Sequence, residues 1–247
     1  MFEVLFQYGP FTLRTFNVFL ALGFLLGMVF LIRYIRRLKF SASFFSSHFF
    51  SLLLIVLLSG RIVYILEHFS QLMAAPFSMI TIWDMNFSGF GMMVGGLLGL
   101  YIFTRKSKED FWAWFDPIVL AGLLGLSFIH IGWFFNGSDY GKPTDLPWGI
   151  AFDLPTIPFV TPLHPTQLYS AIIAFVIFTY GMKKIRQTHL NGVAGSLALM
   201  LYSLSAFGID FLHATPSSYD RITFIILAIL GFIALVHCSH KTYQSSH

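Results

Sequence analysis

The stretch PIVLAGLLGLSFIHIGWFF, residues 117–135, decides the fold. It contains no Asp, Glu, Lys or Arg, and its one ionisable side chain is His130. A helix needs about 20 such residues to cross the hydrocarbon core of a bilayer. Backbone groups in lipid must be bonded within the segment, and the run is continuous rather than alternating, so a helix is expected and not a barrel strand. Six further apolar runs flank it: Phe16–Ile32, Phe49–Leu66, Phe87–Phe103, Leu168–Met182, Val193–Leu212 and Ile222–His237. The predicted fold is an all-α integral membrane protein, a seven-transmembrane-helix bundle.

Composition supports this reading. Of the 247 residues, 56% are hydrophobic and 11% charged, 30 are Phe, and the mean hydropathy is +0.74. A soluble domain carries roughly 25% charge and could not hide this much apolar surface. A soluble enzyme, a secreted disulfide scaffold and a disordered tail are therefore excluded. The single cysteine, Cys238, forms no internal disulfide. No Cys/His spacing suggests zinc, so no metal is expected. The net charge of +4 lies in short blocks between apolar runs, which is not a nucleic-acid footprint.

Those blocks alternate. Arg33, Arg36, Arg37 and Lys39 follow the first run; Arg105, Lys106 and Lys108 the third; Lys183, Lys184 and Arg186 the fifth; Lys241 the last. The 136–166 loop holds only Lys142, and the 213–221 loop only Arg221. The positive-inside rule predicts a periplasmic N-terminus and a cytoplasmic C-terminus. Trp83, Trp112, Trp114, Trp133 and Trp148 fall near span ends, as interface anchors do. A basic block follows the first run where a cleavable signal would carry small residues, so no cleavage is expected. With no repeat and no linker, residues 1–247 read as one transmembrane domain with an outer loop at about 136–166.

Ionisable groups at membrane depth are costly and are functional candidates by default. On this orientation Arg14, Arg61, His130, His164, Asp210 and His213 all fall in the outer half, with Asn136 ending the fourth span. Arg61 also fits a structural lock with Glu67 or Asp210. Asp210 and His213, three apart, share a helix face. They read either as a carboxylate orienting an imidazole base or as a solvated helix end. Asp116, before Pro117, reads as a cap at a helix start. The run GFGMMVGGLLG, residues 89–99, suits close helix packing or a cleft for a headgroup. In NGSDYGKPTDLPWGI, residues 136–150, Asn136 is placed to bond a ligand or its own backbone.

Several segments resemble the bacterial prolipoprotein diacylglyceryl transferase family. They are HIGWFFNGSDYGKPTDLPWGI at 130–150, HPTQLY at 164–169, YGPFTLR at 8–14, FDPIVL at 115–120 and YSLSAFGIDFLHA at 202–214. The resemblance implies a multi-pass protein of the bacterial inner membrane. It would move a diacylglyceryl group from phosphatidylglycerol to the cysteine thiol of a prolipoprotein signal peptide, releasing glycerol phosphate, with no cofactor and no metal. It implies substrate-binding roles for Arg14, Arg61, Asn136, Gly137, Gly141, Gln167, Tyr169 and Tyr202; the polar cluster of the outer half adds His130, His164, Asp210 and His213 as the expected catalytic residues.

The chain also departs from that pattern. His130 stands where the pattern has Arg, Phe90 where it has His, and Phe16 where it has Tyr. A Tyr, Arg, Glu, Arg series matches Tyr202, Ala206, Asp210 and His213, and Ser138 replaces an acid. Arg keeps its charge and grips phosphate with two bonds, whereas His is only partly charged near neutrality. The expectation is a divergent transferase with a histidine base and Arg61 at the phosphate. A catalytically degenerate paralogue that binds lipid or a membrane partner is the alternative, and a transporter or channel a third class.

Overall fold

The computed structural model describes residues 4–8, 11–37, 40–69, 86–152, 157–187, 191–216 and 218–245. Lys39 and Trp83 lie outside the described residues, as does the side chain of Lys241. Seven helices stand among the described residues, one on each apolar run. They are α1 (Thr15–Arg37), α2 (Ala42–Glu67), α3 (Gly89–Ser107), α4 (Phe111–Asn136), α5 (Thr166–Gln187), α6 (Val193–Asp210) and α7 (Ser218–Ser245). All but α3 are long and apolar enough to cross a membrane. In α3, five glycines and a polar end at Thr104–Ser107 dilute the hydropathy. The protein is a multi-pass helical membrane protein.

Helix ends depart from the apolar runs where polar residues do local work. α2 starts seven residues before Phe49, because the Ser41 side chain accepts from Phe44 N–H and caps the first turn. α4 starts at Phe111, not at Asp116, and contains Pro117. Asp116 is thus no cap for its own helix. Its carboxylate accepts from Gly192 N–H (2.9 Å) and Gly195 N–H (2.6 Å), at the N-terminus of α6. A short antiparallel hairpin, β1 (Val4–Tyr8) and β2 (Phe11–Arg14), precedes α1 and adds strands that apolar periodicity did not reveal.

The chain divides into two compact units, Ile35–Trp114 and the combination of Met1–Tyr34 with Phe115–His247. In the smaller unit, α2 and α3 run antiparallel with their backbones close. A Cβ on Gly91 would stand 2.6 Å from the Ser59 carbonyl oxygen, and one on Gly95 would collide with the Ser59 side chain. Gly91, Gly95 and Gly99 of the glycine-rich run therefore serve close packing against α2.

In the larger unit, α1 crosses α4 just as tightly. A Cβ on Gly23 would stand 2.6 Å from the Gly125 carbonyl. Leu120 and Leu123 of α4, Ala174 and Ile177 of α5 and Ala198 of α6 form its buried core. α6 packs on α5 and on α7. This arrangement gathers the C-termini of α4 and α6, the N-terminus of α5 and residues 137–152 and 157–165 at one end of the unit.

Candidate functional site

The site begins where α4 stops. Gly137, with φ 67°, ends the helix in the left-handed region. Its N–H reaches Phe134 O at 3.3 Å and Ser138 N–H reaches Trp133 O at 3.1 Å, which closes the last turn and satisfies its carbonyls. Asn136 turns back on the local chain: its Nδ2 donates to Ser138 Oγ at 2.8 Å. Two side chains from the start of α5 then pin the loop. Gln167 Nε2 donates to Ser138 O and Thr166 Oγ1 to Asp139 O, both at 2.6 Å. Gln167 and Thr166 are fully buried.

The loop is next stitched to α6. Gly141 N–H donates to His164 O at 2.9 Å, Lys142 N–H to Leu212 O at 2.8 Å and His164 N–H to Lys142 O at 3.0 Å. A Cβ at Gly141 would meet His164 Cβ at 2.5 Å and Leu212 O at 2.9 Å, so only glycine fits between these segments. The backbones of His164, Gly141 and His213 are adjacent for that reason. The His164 ring faces Tyr169: Nδ1 is 3.3 Å from the Tyr169 hydroxyl, which also accepts from Trp148 Nε1 at 2.8 Å.

Deeper in the same unit lies His130, 5% exposed, one and a half turns from the end of α4. Its Nε2 is 2.9 Å from the Tyr202 hydroxyl on α6, and its ring stands edge-on to Trp133. Its Nδ1 is buried and has no hydrogen-bond partner among the described residues. Gln167 Oε1 and His213 Nε2 share that condition. Buried polar atoms are nearly always bonded, so such a group needs a reason.

At the end of α6, Asp210 and His213 come together as their spacing suggested, with His213 Nδ1 3.5 Å from Asp210 Oδ1. Two neighbours were missed. Asp139, in the left-handed region at φ 60°, brings Oδ2 to 3.6 Å from His213 Nε2. Arg221, from the first turn of α7, donates from Nε to Asp210 Oδ2. Loss of water around it pushes the Asp139 carboxyl above the usual carboxylate range; His213 opposes this, while Asp220 and Asp210 add to it. Asp139 sits in the quoted NGSDYG turn, but its facing His213 depends on the loop's stitching to α6, which spacing does not encode.

The two expected arginines are carried by other elements. Arg14 is exposed on β2. Arg61 belongs to the smaller unit, where it is buried and its Nη1 donates to Asn86 O at 2.6 Å. Of the two carboxylates expected to face it, Glu67 accepts from Ser88 Oγ at 2.8 Å and Asp210 accepts from Arg221. Among the described residues, no group of three or more His, Cys, Asp or Glu is placed to hold a metal ion.

A multi-pass helical protein with partly unpartnered polar groups at the helix ends is the class these observations define. The chain belongs to the prolipoprotein diacylglyceryl transferase family, whose model matches residues 3–238. It is similar to the phosphatidylglycerol–prolipoprotein diacylglyceryl transferase of Ehrlichia canis (strain Jake), 31% identical over 93% of this chain and 93% of that protein. The protein of that name from Synechococcus sp. (strain CC9902) is 30% identical over 85% of this chain and 78% of its own. That of Chloroherpeton thalassium (strain ATCC 35110 / GB-78) is 29% identical over 97% and 93%.

Proposed function

We propose that this protein transfers a diacylglyceryl group from phosphatidylglycerol to the cysteine thiol of a prolipoprotein signal peptide, at the outer face of the bacterial inner membrane. On this reading all seven helices span the bilayer, α3 included, with the N-terminus periplasmic and the C-terminus cytoplasmic. Basic residues in the last turns of α1 (Arg36, Arg37), α3 (Arg105, Lys106) and α5 (Lys184, Arg186) support that orientation. On the same reading the His130 end of the helices faces outward.

The observation that carries the chemistry is the open Nδ1 of His130. When Nε2–H donates to Tyr202, Nδ1 presents a lone pair in a buried site. There it takes the thiol proton, since the thiolate is the effective nucleophile. Sulfur attacks the glyceryl carbon that bears the phosphate ester. The C–S bond forms as the C–O bond breaks, and glycerol phosphate leaves with the electron pair. Asp210 orients His213 beside the site, and His164 is held by Tyr169 at its rim. Asn136, Gly137, Gly141 and Gln167 shape the loop, and Arg14 and Arg61 belong to this reading as cations at headgroup depth.

The test is to incubate the purified protein with phosphatidylglycerol and a lipobox cysteine peptide. A diacylglyceryl mass gain with release of glycerol phosphate is expected. A folded protein that retains phosphatidylglycerol and leaves the peptide unchanged would instead be a lipid-binding paralogue.

A further inference from the structure

We infer that Arg221 is the residue that grips the lipid phosphate, and that Asp210 aims it. The inference rests on the transfer reading above for the identity of the lipid, and on geometry for the rest. Arg221 sits in the first turn of α7, a helix of membrane-crossing length, and so at headgroup depth. Its Nε is committed to Asp210, whose carboxylate is almost fully buried at the end of α6. The guanidinium lies 4.6 Å over the Phe211 ring. The ion pair and the stack together fix its plane. Among the described residues that Nε bond is its only hydrogen bond, so the two Nη groups stay open while the side chain remains 30% exposed.

A second cation is anchored on the same residue. Lys142 Nζ donates to the Phe211 carbonyl at 2.9 Å. Both cations meet at one exposed residue, while the carboxylates of Asp210, Asp139 and Asp220 belong to the same cluster, so the open Nη donors and not an excess of positive charge favour a phosphate. A planar fork with free Nη donors matches two oxygens of a phosphodiester. A plain staple between α6 and α7 would need neither the open fork nor Lys142.

The test compares binding of phosphatidylglycerol with binding of diacylglycerol of the same chains, which lacks the phosphate, in one detergent. The wild type should prefer phosphatidylglycerol. Arg221→Gln should reduce that preference at least about ten-fold and leave diacylglycerol binding unchanged. Arg221→Lys, which keeps the charge without the fork and the ion pair with Asp210, should fall between, and it serves alone if the Gln variant does not fold. An unchanged preference in both variants, or no preference in the wild type, overturns the inference. Peptide transfer reports separately. Absent transfer with a preference that depends on Arg221 defeats the transfer reading alone, and transfer by Arg221→Gln with an unaltered KM for phosphatidylglycerol defeats this inference alone.

Discussion

Two buried carboxylates mark the two ends of α6, and they are satisfied in different ways. Asp116, 3% exposed, receives two backbone N–H groups at the helix N-terminus. Asp210, 1% exposed, is the helix's last residue and receives side chains, Arg221 and His213. Backbone donors have no other conformation to offer, so the Asp116 end is locked. Side-chain donors can exchange partners with a ligand, and among the described residues His130 Nδ1 and His213 Nε2 have no hydrogen-bond partner. Close packing and full satisfaction build a scaffold; incomplete satisfaction on that scaffold leaves room for chemistry.

The largest expected effect is at His130. His130→Phe should lower transfer by about 10²–10⁴-fold, the range for losing a positioned base, while the thermal transition in detergent moves little. Loss of the fold with unchanged rate in the surviving molecules would make His130 part of the scaffold. Gly141→Ala should have an intermediate effect, because a Cβ there meets backbone atoms that cannot turn aside. A destabilisation of about 1–3 kcal/mol is expected from such overpacking, read by the same thermal transition. A neutral substitution would mean that the stitched loop is softer than the Asp116 end requires for the contrast to hold.

The smallest effect concerns Asp139. Its carboxyl is raised, so its charged form is disfavoured in the folded protein. The wild type should therefore lose stability relative to Asp139→Asn as pH rises through that raised value, and the two should converge at low pH. Thermal unfolding of both proteins across pH checks this. A gap that opens in the other direction would mean that attraction to His213 outweighs loss of water.

The helices were legible because lipid demands long apolar runs, and each of the seven runs became a helix. Their ends were less legible: the Ser41 cap extends α2 into a polar stretch, and Asp116 looked like a cap for its own helix. Of the site, Asp210 with His213 could be read from a spacing of three, and the helix stop at Asn136–Gly137 from local turn chemistry. Asp139 and Arg221 could not, since each meets its partner only after a loop or a second helix folds back. Arg221 was visible as an isolated cation in a sparse loop, but nothing in its sequence neighbourhood names Asp210.

The contrast between the two carboxylates is tested most directly by the rate per folded molecule in Asp116→Asn and Asp210→Asn, measured with phosphatidylglycerol and a lipobox peptide. Asp116→Asn should unfold more easily, because an amide accepts through only one oxygen, yet its folded molecules should transfer at the wild-type rate. Asp210→Asn should lower the rate of folded molecules about ten-fold or more, as Arg221 and His213 lose their charged anchor. Equal rates in both variants, or a slower rate in folded Asp116→Asn than in folded Asp210→Asn, would contradict the division of α6 into a locked end and a working end.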